Sequence, residues 1–272
     1  MKDIRWTLVT YSLLGIAAVV GLVVLMSLIS RKDNEQLCNK LLVNIEGKET
    51  FIDQHDISNM INDQFGAVVG RKLSEIKFQD IEKAIEKLPY VSNAEVSSDM
   101  DGIVNISVQQ REVVLRVVNV NGREYYVDSE GNKVPVTLKY VPHVLVANGN
   151  IREGYGKSLE PVESKMVKDL VKVVNHVKGD DLWENQIVQI YVNEQNDIEL
   201  IPRVGKEVLV IGSADSLDYK LDRIENYYKN ILPKVGADAY ARVNVKYGGQ
   251  IICERRGNWF LDSLQMKINM KN

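Results

Sequence analysis

The sequence predicts an α+β protein: one transmembrane helix, a small α+β domain and a C-terminal domain of mixed or antiparallel β-structure with flanking helices. Three observations lead to this fold class. The stretch Trp6–Ser30 contains no charged residue. Apolar residues then recur at helical spacing before a pair of alternating runs that ends near residue 110. Beyond residue 115, short alternating runs return again and again between turn-forming residues.

The uncharged stretch is long enough to cross a bilayer. Leu8–Ile29 is dominated by Leu, Val, Ile and Ala, and as a helix it would rise roughly 33 Å, against a hydrocarbon core of about 30 Å. A cleaved signal peptide would end in small residues, which Ser30–Asp33 does not offer. We therefore expect a span at 6–30, after a tail at 1–5 and before a linker at 31–40. Basic residues on both sides leave its orientation open.

The first domain, residues 41–114, is predicted from five elements. Leu41–Ile45 is typical of a short strand, and Asp53 is a plausible N-cap for a short amphipathic helix. The clearest helix is Phe78–Leu88, where apolar residues recur at helical spacing until a proline stops the run. Two alternating runs flank Asp101-Gly102, which is a hairpin signal. The order strand, helix, helix, strand, strand predicts a two-layer α+β unit.

The second domain, residues 115–256, is predicted to be mainly β-sheet, and a tail follows at 257–272. Asn121-Gly122 and Asp128–Gly131 are turn signals between its first short strands. The later strands are predicted at Ile187–Val192, Ile198–Pro202, Glu207–Ile211, Ala241–Tyr247 and Gln250–Glu254.

Two helices interrupt these strands. Val167–Val177 has helical periodicity, and Gly179 can end that helix. A later apolar pattern follows Ser213 or Asp215, either of which can cap a helix that Pro233 is expected to terminate.

Composition and motifs give no sign of catalysis or of metal binding. A net charge of −3 argues against a nucleic-acid protein, which usually has a strongly basic face. The three histidines, His55, His143 and His176, are scattered and have no cysteine at metal-ligand spacing. Asp99–Gly102 fits a hairpin turn better than a calcium loop, and Gly248-Gly249 lacks the lysine and serine of a phosphate loop. We predict no active site, no metal and no cofactor.

The two cysteines are not expected to form a disulfide. Cys38 lies in the linker and Cys253 in a late strand, so a bridge would require the linker to fold back along the whole domain. A packed core is therefore expected to carry the stability, and the redox compartment cannot be inferred from two cysteines.

Five short motifs follow one another in the chain: Pro89-Tyr90-Val91, Gln110–Val113, Tyr126–Gly131, Val141-Pro142 and Arg242–Gly249. In this order and spacing they resemble the FtsQ/DivIB family of bacterial cell-division proteins over nearly the whole chain. The chain departs from the family at two of them, where Val113 replaces a proline and Asn244 replaces an aspartate.

The resemblance implies a short cytoplasmic N-terminus, one inner-membrane span, a POTRA domain and a β domain in the periplasm at the division septum. It implies a non-enzymatic scaffold whose partners are FtsB-like and FtsL-like small coiled-coil proteins and other division proteins, with no nucleic acid and no small-molecule substrate. The tail at 1–5 is short for the family. Two other classes stay open: a POTRA-bearing factor for envelope translocation or assembly, and a membrane-anchored envelope enzyme such as a peptidoglycan hydrolase.

The resemblance also suggests a partner-binding site at the last predicted strand, Gln250–Glu254. We expect that strand to be an exposed edge to which a partner adds a strand of its own. Tyr247 matches a partner-contacting tyrosine of the family, and two small turn residues and three ladder residues follow it. The predicted site is Tyr247, Gly248, Gly249, Gln250, Ile251 and Ile252. The alternative is an ordinary hairpin whose edge is covered by the tail 258–272.

Overall fold

The computed structural model describes residues 14–24, 36–48 and 50–257, and the chain divides into two compact units between Arg111 and Glu112. Residues 14–24 are helical, and they are the only part of the predicted span 6–30 that is described. Within these three ranges, no helix has both the length and the apolar character needed to cross a membrane. The predicted tails at 1–5 and from 258 onward lie outside the described residues.

The first unit is a three-stranded sheet covered by two helices, in the order strand, helix, helix, strand, strand that the sequence predicts. The central strand pairs in parallel with the first and antiparallel with the other, giving the order β1-β3-β2. The elements are β1 (Lys40–Glu46), α1 (Gln54–Phe65), α2 (Phe78–Glu86), β2 (Val91–Ser98) and β3 (Ile103–Gln110).

Local sequence signals account for these helices. Asp53 caps α1, since its carboxylate accepts from the backbone N–H of Asp56 at 2.9 Å. In return, the Asp56 carboxylate accepts from the backbone N–H of Asp53 at 2.9 Å. The helix α2 buries Ile81 and Ile85, so the apolar spacing in the sequence is the face that packs inward.

The hairpin between β2 and β3 turns at the predicted place. The Asp99 carboxylate accepts from the N–H groups of Asp101 at 3.0 Å and Ile103 at 2.9 Å. Gly102 has a φ of 77°, a conformation that favours glycine. The carboxylate of Asp99 therefore serves the turn itself, which is the hairpin role predicted for this segment.

The second unit is built on a nine-stranded mixed sheet, β12-β11-β10-β9-β8-β7-β4-β5-β6. The pairs β4/β7, β7/β8 and β10/β11 are parallel and the others are antiparallel. The predicted boundary between 114 and 115 falls inside β4. The strands are β4 (Val113–Val118), β5 (Glu124–Asp128), β6 (Lys133–Val134), β7 (Leu145–Gly149), β8 (Ile187–Val192), β9 (Ile198–Pro202), β10 (Val208–Gly212), β11 (Tyr240–Asn244) and β12 (Ile252–Arg255).

Helices pack on this sheet through their apolar faces. The long helix begins with a cap, because the Ser164 hydroxyl accepts from the N–H of Val167, and Gly179 ends it as predicted. Its buried residues form one core with Leu221 and Ile224 of a later helix. The helical segments are α3 (Lys165–Lys178), α4 (Asp181–Gln186), α5 (Leu217–Asn226), a π turn (Tyr227–Ile231) and α6 (Leu232–Val235).

The predicted cap of α5 is wrong. Neither Ser213 nor Asp215 holds the N-cap position. Ser216 does, with a φ of 52° and no side-chain hydrogen bond to the helix. The Ser213 carbonyl and hydroxyl instead accept from the buried ammonium of Lys220, at 2.7 and 3.2 Å. A buried charge needs such partners, and their requirement overrides the local capping preference.

The predicted stop at Pro233 is also wrong. In the π turn the Leu232 N–H donates to the carbonyl of Tyr227, five residues back. Pro233 follows at the start of α6. In the first turn of a helix a backbone N–H has no acceptor within the helix, so proline, which lacks that N–H, is tolerated there. The helix ends instead at Gly236, which has a φ of 94° and donates its N–H to Leu232.

The two cysteines lie in different units and both are free thiols. Burial raises the pKa of each thiol above its ordinary value, so both are weak nucleophiles at neutral pH.

Candidate partner-binding edge

The candidate site begins at the end of the large sheet. The strand β12 stands last in the strand order and pairs antiparallel with β11, with Val243 opposite Cys253 and Asn244 opposite Ile252. Within the part of the chain that the structure describes, no strand pairs with the other side of β12. Such an edge presents backbone donors and acceptors to a second chain.

The side chains of this strand alternate between the core and the surface. Ile251 and Cys253 pack against the core of the second unit. Ile252 is 40% exposed and Glu254 is exposed as well. On that outer face Arg242 of β11 contacts the buried carboxylate of Glu199 and lies 3.8 Å from the carboxylate of Glu254 on β12.

One hydrogen bond shows which backbone N–H groups of β12 point toward β11 and which point outward. The N–H of Arg256 donates to the carbonyl of Ala239, just before β11, at 3.1 Å. Because backbone N–H groups alternate along a strand, those of Ile252 and Glu254 also point toward β11. The N–H of Cys253 therefore points outward, where a partner strand would lie.

β11 and β12 form the predicted antiparallel hairpin, but the loop that joins them, residues 245–251, is longer than the predicted turn. The sequence predicts strands at Ala241–Tyr247 and Gln250–Glu254, but β11 ends at Asn244 and β12 begins at Ile252. Asn244 ends its strand, since its side-chain oxygen accepts from the N–H of Lys246 at 2.9 Å. Of the six predicted site residues, only Ile252 lies in the strand. Tyr247, Gly248, Gly249, Gln250 and Ile251 lie in the loop.

Helix α5 holds this loop in place. The Arg223 guanidinium donates to the carbonyls of Tyr247 at 2.6 Å and Val245 at 3.2 Å. The Tyr219 hydroxyl accepts from the N–H of Gly249 at 3.0 Å, and Arg223 lies 5.3 Å from the centre of the Tyr219 ring. Tyr219 and Arg223 are residues of the candidate site that sequence reasoning missed. Their spacing of four places them on one helix face, but nothing in the sequence links that face to the loop.

A salt bridge fixes the other side of the loop. The Lys246 ammonium lies 2.7 Å from one carboxylate oxygen of Asp197, and this bond raises the pKa of the lysine. The same ammonium lies 5.7 Å from the centre of the Tyr247 ring, a cation–π arrangement. The Tyr247 side chain is 49% exposed. The loop therefore presents a large aromatic ring in a position that several contacts define.

The arrangement is suited to binding. Among the described residues, no group of three or more His, Cys, Asp or Glu side chains could hold a metal ion. The edge, the exposed isoleucine and the ordered tyrosine instead form a surface of the kind to which an extended peptide adds a strand.

Comparison with known proteins agrees with this division of the chain. Residues 36–109 match the model of the POTRA-like domain, and residues 112–254 match the family model described as FtsQ/DivIB, C-terminal related. No curated protein matches the chain. The second match covers more than half of the chain and includes the Tyr247 loop and β12 as far as Glu254. The chain therefore belongs to the FtsQ/DivIB family of cell-division proteins.

Proposed function

We propose that this chain is a non-enzymatic scaffold of the cell-division machinery that binds FtsB-like and FtsL-like proteins and so helps to assemble or regulate septal peptidoglycan synthesis. The observation that carries the proposal is the outer edge of β12 beside the ordered Tyr247 loop. Family members are in general scaffolds, and the edge gives this chain a surface for that role.

The partner adds a strand to β12. Its backbone accepts from the N–H of Cys253, and its side chains lie over Ile252 and against the ring of Tyr247. Backbone bonds supply affinity in this mode, and the side-chain contacts supply specificity. A tyrosine held in place at an interface costs little conformational entropy on binding, so Tyr247 is the expected energetic centre.

The protein is held at the division septum by the span at 6–30, with its N-terminus in the cytoplasm and the two units in the periplasm. The uncharged sequence of Trp6–Ser30 supports the span, and family membership supports the orientation. Confinement to one membrane raises the effective concentration of scaffold and partner, so even modest affinity at the edge suffices for assembly.

A proline at position 253 tests strand addition. Cys253→Pro deletes an outward N–H and leaves the bonds between β11 and β12 in place. We expect binding of the FtsB-like protein from the same organism to weaken by about 5- to 10-fold, the worth of one or so backbone hydrogen bonds. Affinity is measured with the full chain in detergent by biolayer interferometry, and folding by circular dichroism.

The matched control is Cys253→Ala, which loses the thiol but keeps the N–H and should bind like the unmodified chain. If the proline variant folds and binds as tightly as the alanine variant, the partner does not pair with β12. A second substitution, Tyr247→Ala, should weaken binding by at least about 10-fold as a hot-spot residue. Tyr191→Ala, at a similarly exposed tyrosine of β8, should leave binding unchanged.

A further inference from the structure

The outer face of the sheet beside β12 holds one guanidinium between two carboxylates. Arg242 of β11 contacts Glu199 of β9 on one side, and on the other side its Nε lies 3.8 Å from Oε2 of Glu254 on β12. The strand register places Arg242 directly opposite Glu254, so both side chains project from the same face. Two negative charges therefore share one positive charge at this end of the sheet.

The guanidinium is committed to the inner carboxylate. The side chain of Glu199 is 4% exposed, whereas that of Glu254 is 59% exposed. A buried carboxylate needs a paired cation and hydrogen-bond donors, which Arg242 and the Asn193 amide, 2.8 Å from Glu199 Oε1, provide. The distance of 3.8 Å from Arg242 to Glu254 is too long for a hydrogen bond. In residues 14–24, 36–48 and 50–257, no donor bonds the Glu254 carboxylate, so solvent carries most of its stabilisation.

A strand added to β12 would displace solvent from one side of Glu254. On the added strand, the side chain beside Glu254 projects from the same face, with the two Cβ atoms about 5 Å apart. An apolar side chain there would desolvate the carboxylate without pairing it, and an acidic one would repel it. A lysine or arginine would instead continue the alternation of charge that runs from Glu199 through Arg242 to Glu254.

The other outward residue of β12 sets a second requirement. Ile252 is two residues before Glu254 and 40% exposed, so it lies on the same face of the strand. Two side chains that are two positions apart on an added strand therefore meet Glu254 and Ile252. An apolar side chain beside Ile252 would bury apolar surface of both strands. The residue between them projects from the opposite face, as Cys253 does, and this argument leaves it unspecified.

We propose that the strand added to β12 carries a lysine or arginine beside Glu254 and an apolar residue two positions away, beside Ile252. This inference rests on the proposed strand addition and specifies the chemistry of the partner that the edge selects. Glu254 thereby acts in two ways. It attracts a strand with a cation in this position, and it rejects a strand with an acidic residue there, so the open edge does not pair indiscriminately.

Changes of charge at Glu254 test the assignment, with the full chain in detergent and the FtsB-like protein from the same organism. Glu254→Lys brings like charges together, and we expect affinity to fall at least about 10-fold, mostly through slower association. Glu254→Gln removes only the charge, so affinity should fall about 3-fold and should depend less on added salt. Urea titration checks that both variants fold.

The matched control is Glu184→Lys, which makes the same change of charge at an exposed residue of α4, just before β8. Its affinity should stay within about 2-fold of that of the unmodified chain, since the overall charge changes but the edge does not. Equal losses in Glu184→Lys and Glu254→Lys would show a general effect of charge, against the proposal. Unchanged or tighter binding of Glu254→Gln would overturn it as well, because Glu254 would then only guard the edge against pairing.

A compensating exchange identifies the partner residue. Each lysine and arginine of the FtsB-like protein is replaced in turn by glutamate, and each variant is measured against the chain with Glu254→Lys. We expect one variant to bind that chain at least about 5-fold more tightly than the unmodified partner does, because an opposite pair is restored. If no variant restores binding, the assigned pair does not exist.

The proline variant separates this inference from strand addition itself. If Cys253→Pro weakens binding and the Glu254 variants do not, strand addition stands and the charge assignment is wrong. If none of these variants changes binding, both are wrong. If the charge exchange succeeds but Cys253→Pro binds like Cys253→Ala, the partner's cation is recognised without an added strand, which also contradicts the proposal.

Discussion

The two units contain turns of similar sequence that are stabilised in different ways. At Asp101-Gly102 the turn is tight, and the carboxylate of Asp99, two residues away, accepts its N–H groups. At Gly248-Gly249 the chain forms a longer loop, and its donors and acceptors are bonded by Tyr219 and Arg223 of a distant helix. The first turn is a local structure, whereas the second depends on the folded unit around it.

This difference separates a structural turn from a candidate binding loop. A turn whose hydrogen bonds come from its own residues does not depend on the rest of the fold. Its backbone groups are already paired, so it offers few of them to a partner. A loop bonded from a helix has its position defined relative to the sheet, so Tyr247 is oriented before any partner arrives. Such preorganisation reduces the ordering cost of binding.

The largest expected effect comes from removing the helix support. Arg223→Ala deletes a charged donor to two carbonyls, and we expect the free energy of unfolding to fall by about 1.5–3 kcal/mol. Binding at the edge should weaken as well, because the loop loses its orientation. Urea titration and partner affinity measure the two effects. Arg223→Lys keeps the positive charge but lacks the planar guanidinium with its several N–H donors. If it recovers less than half of the unfolding free energy and affinity lost in Arg223→Ala, the guanidinium geometry is required in addition to the charge.

A smaller effect is expected at the local turn. Asp99→Ala removes the acceptor of two N–H groups at an exposed hairpin, so we expect a loss of about 1 kcal/mol in unfolding free energy. Partner affinity should not change. Asp99→Asn keeps an acceptor oxygen and should recover most of the stability in the same urea titration. A loss of affinity in Asp99→Ala would mean that the first unit also contributes to the binding surface.

The smallest effect concerns the surface pair of Lys246 and Asp197. Asp197→Asn should cost less than about 1 kcal/mol, because exposed ion pairs are screened by solvent. The folded pKa of Lys246 is raised above 10.5, so the contribution is present below that pH and disappears as pH rises through the folded value. The free energies of unfolding of the unmodified chain and of Asp197→Asn, measured against pH, should therefore converge in strong alkali. A difference between the two free energies that does not change with pH would exclude the ion pair as its cause.

These contrasts also show how far sequence reasoning reaches. The capping of α1 by Asp53 and the buried face of α2 follow from contacts within a few residues, and both were predictable. The start of α5 was not, because the sequence does not reveal that Lys220 is buried in the folded unit and that Ser213 bonds it instead of capping the helix. The length of the Tyr247 loop, residues 245–251, was missed because it too depends on the folded unit. Its bonds come from α5, and no periodicity in 240–255 contains that information.

The π turn before α6 imposes a constraint on chain length. A π turn is a helix that contains one residue more than its hydrogen-bond register needs. Deleting Asn230 would restore an ordinary register and rotate everything after it by about 100°, the angle between consecutive helical residues. Pro233 would then clash with a carbonyl four residues back, and Leu232 would turn away from the core against which it packs. Single-residue deletions should therefore be tolerated far less well in 227–231 than in the exposed loop around Gly248.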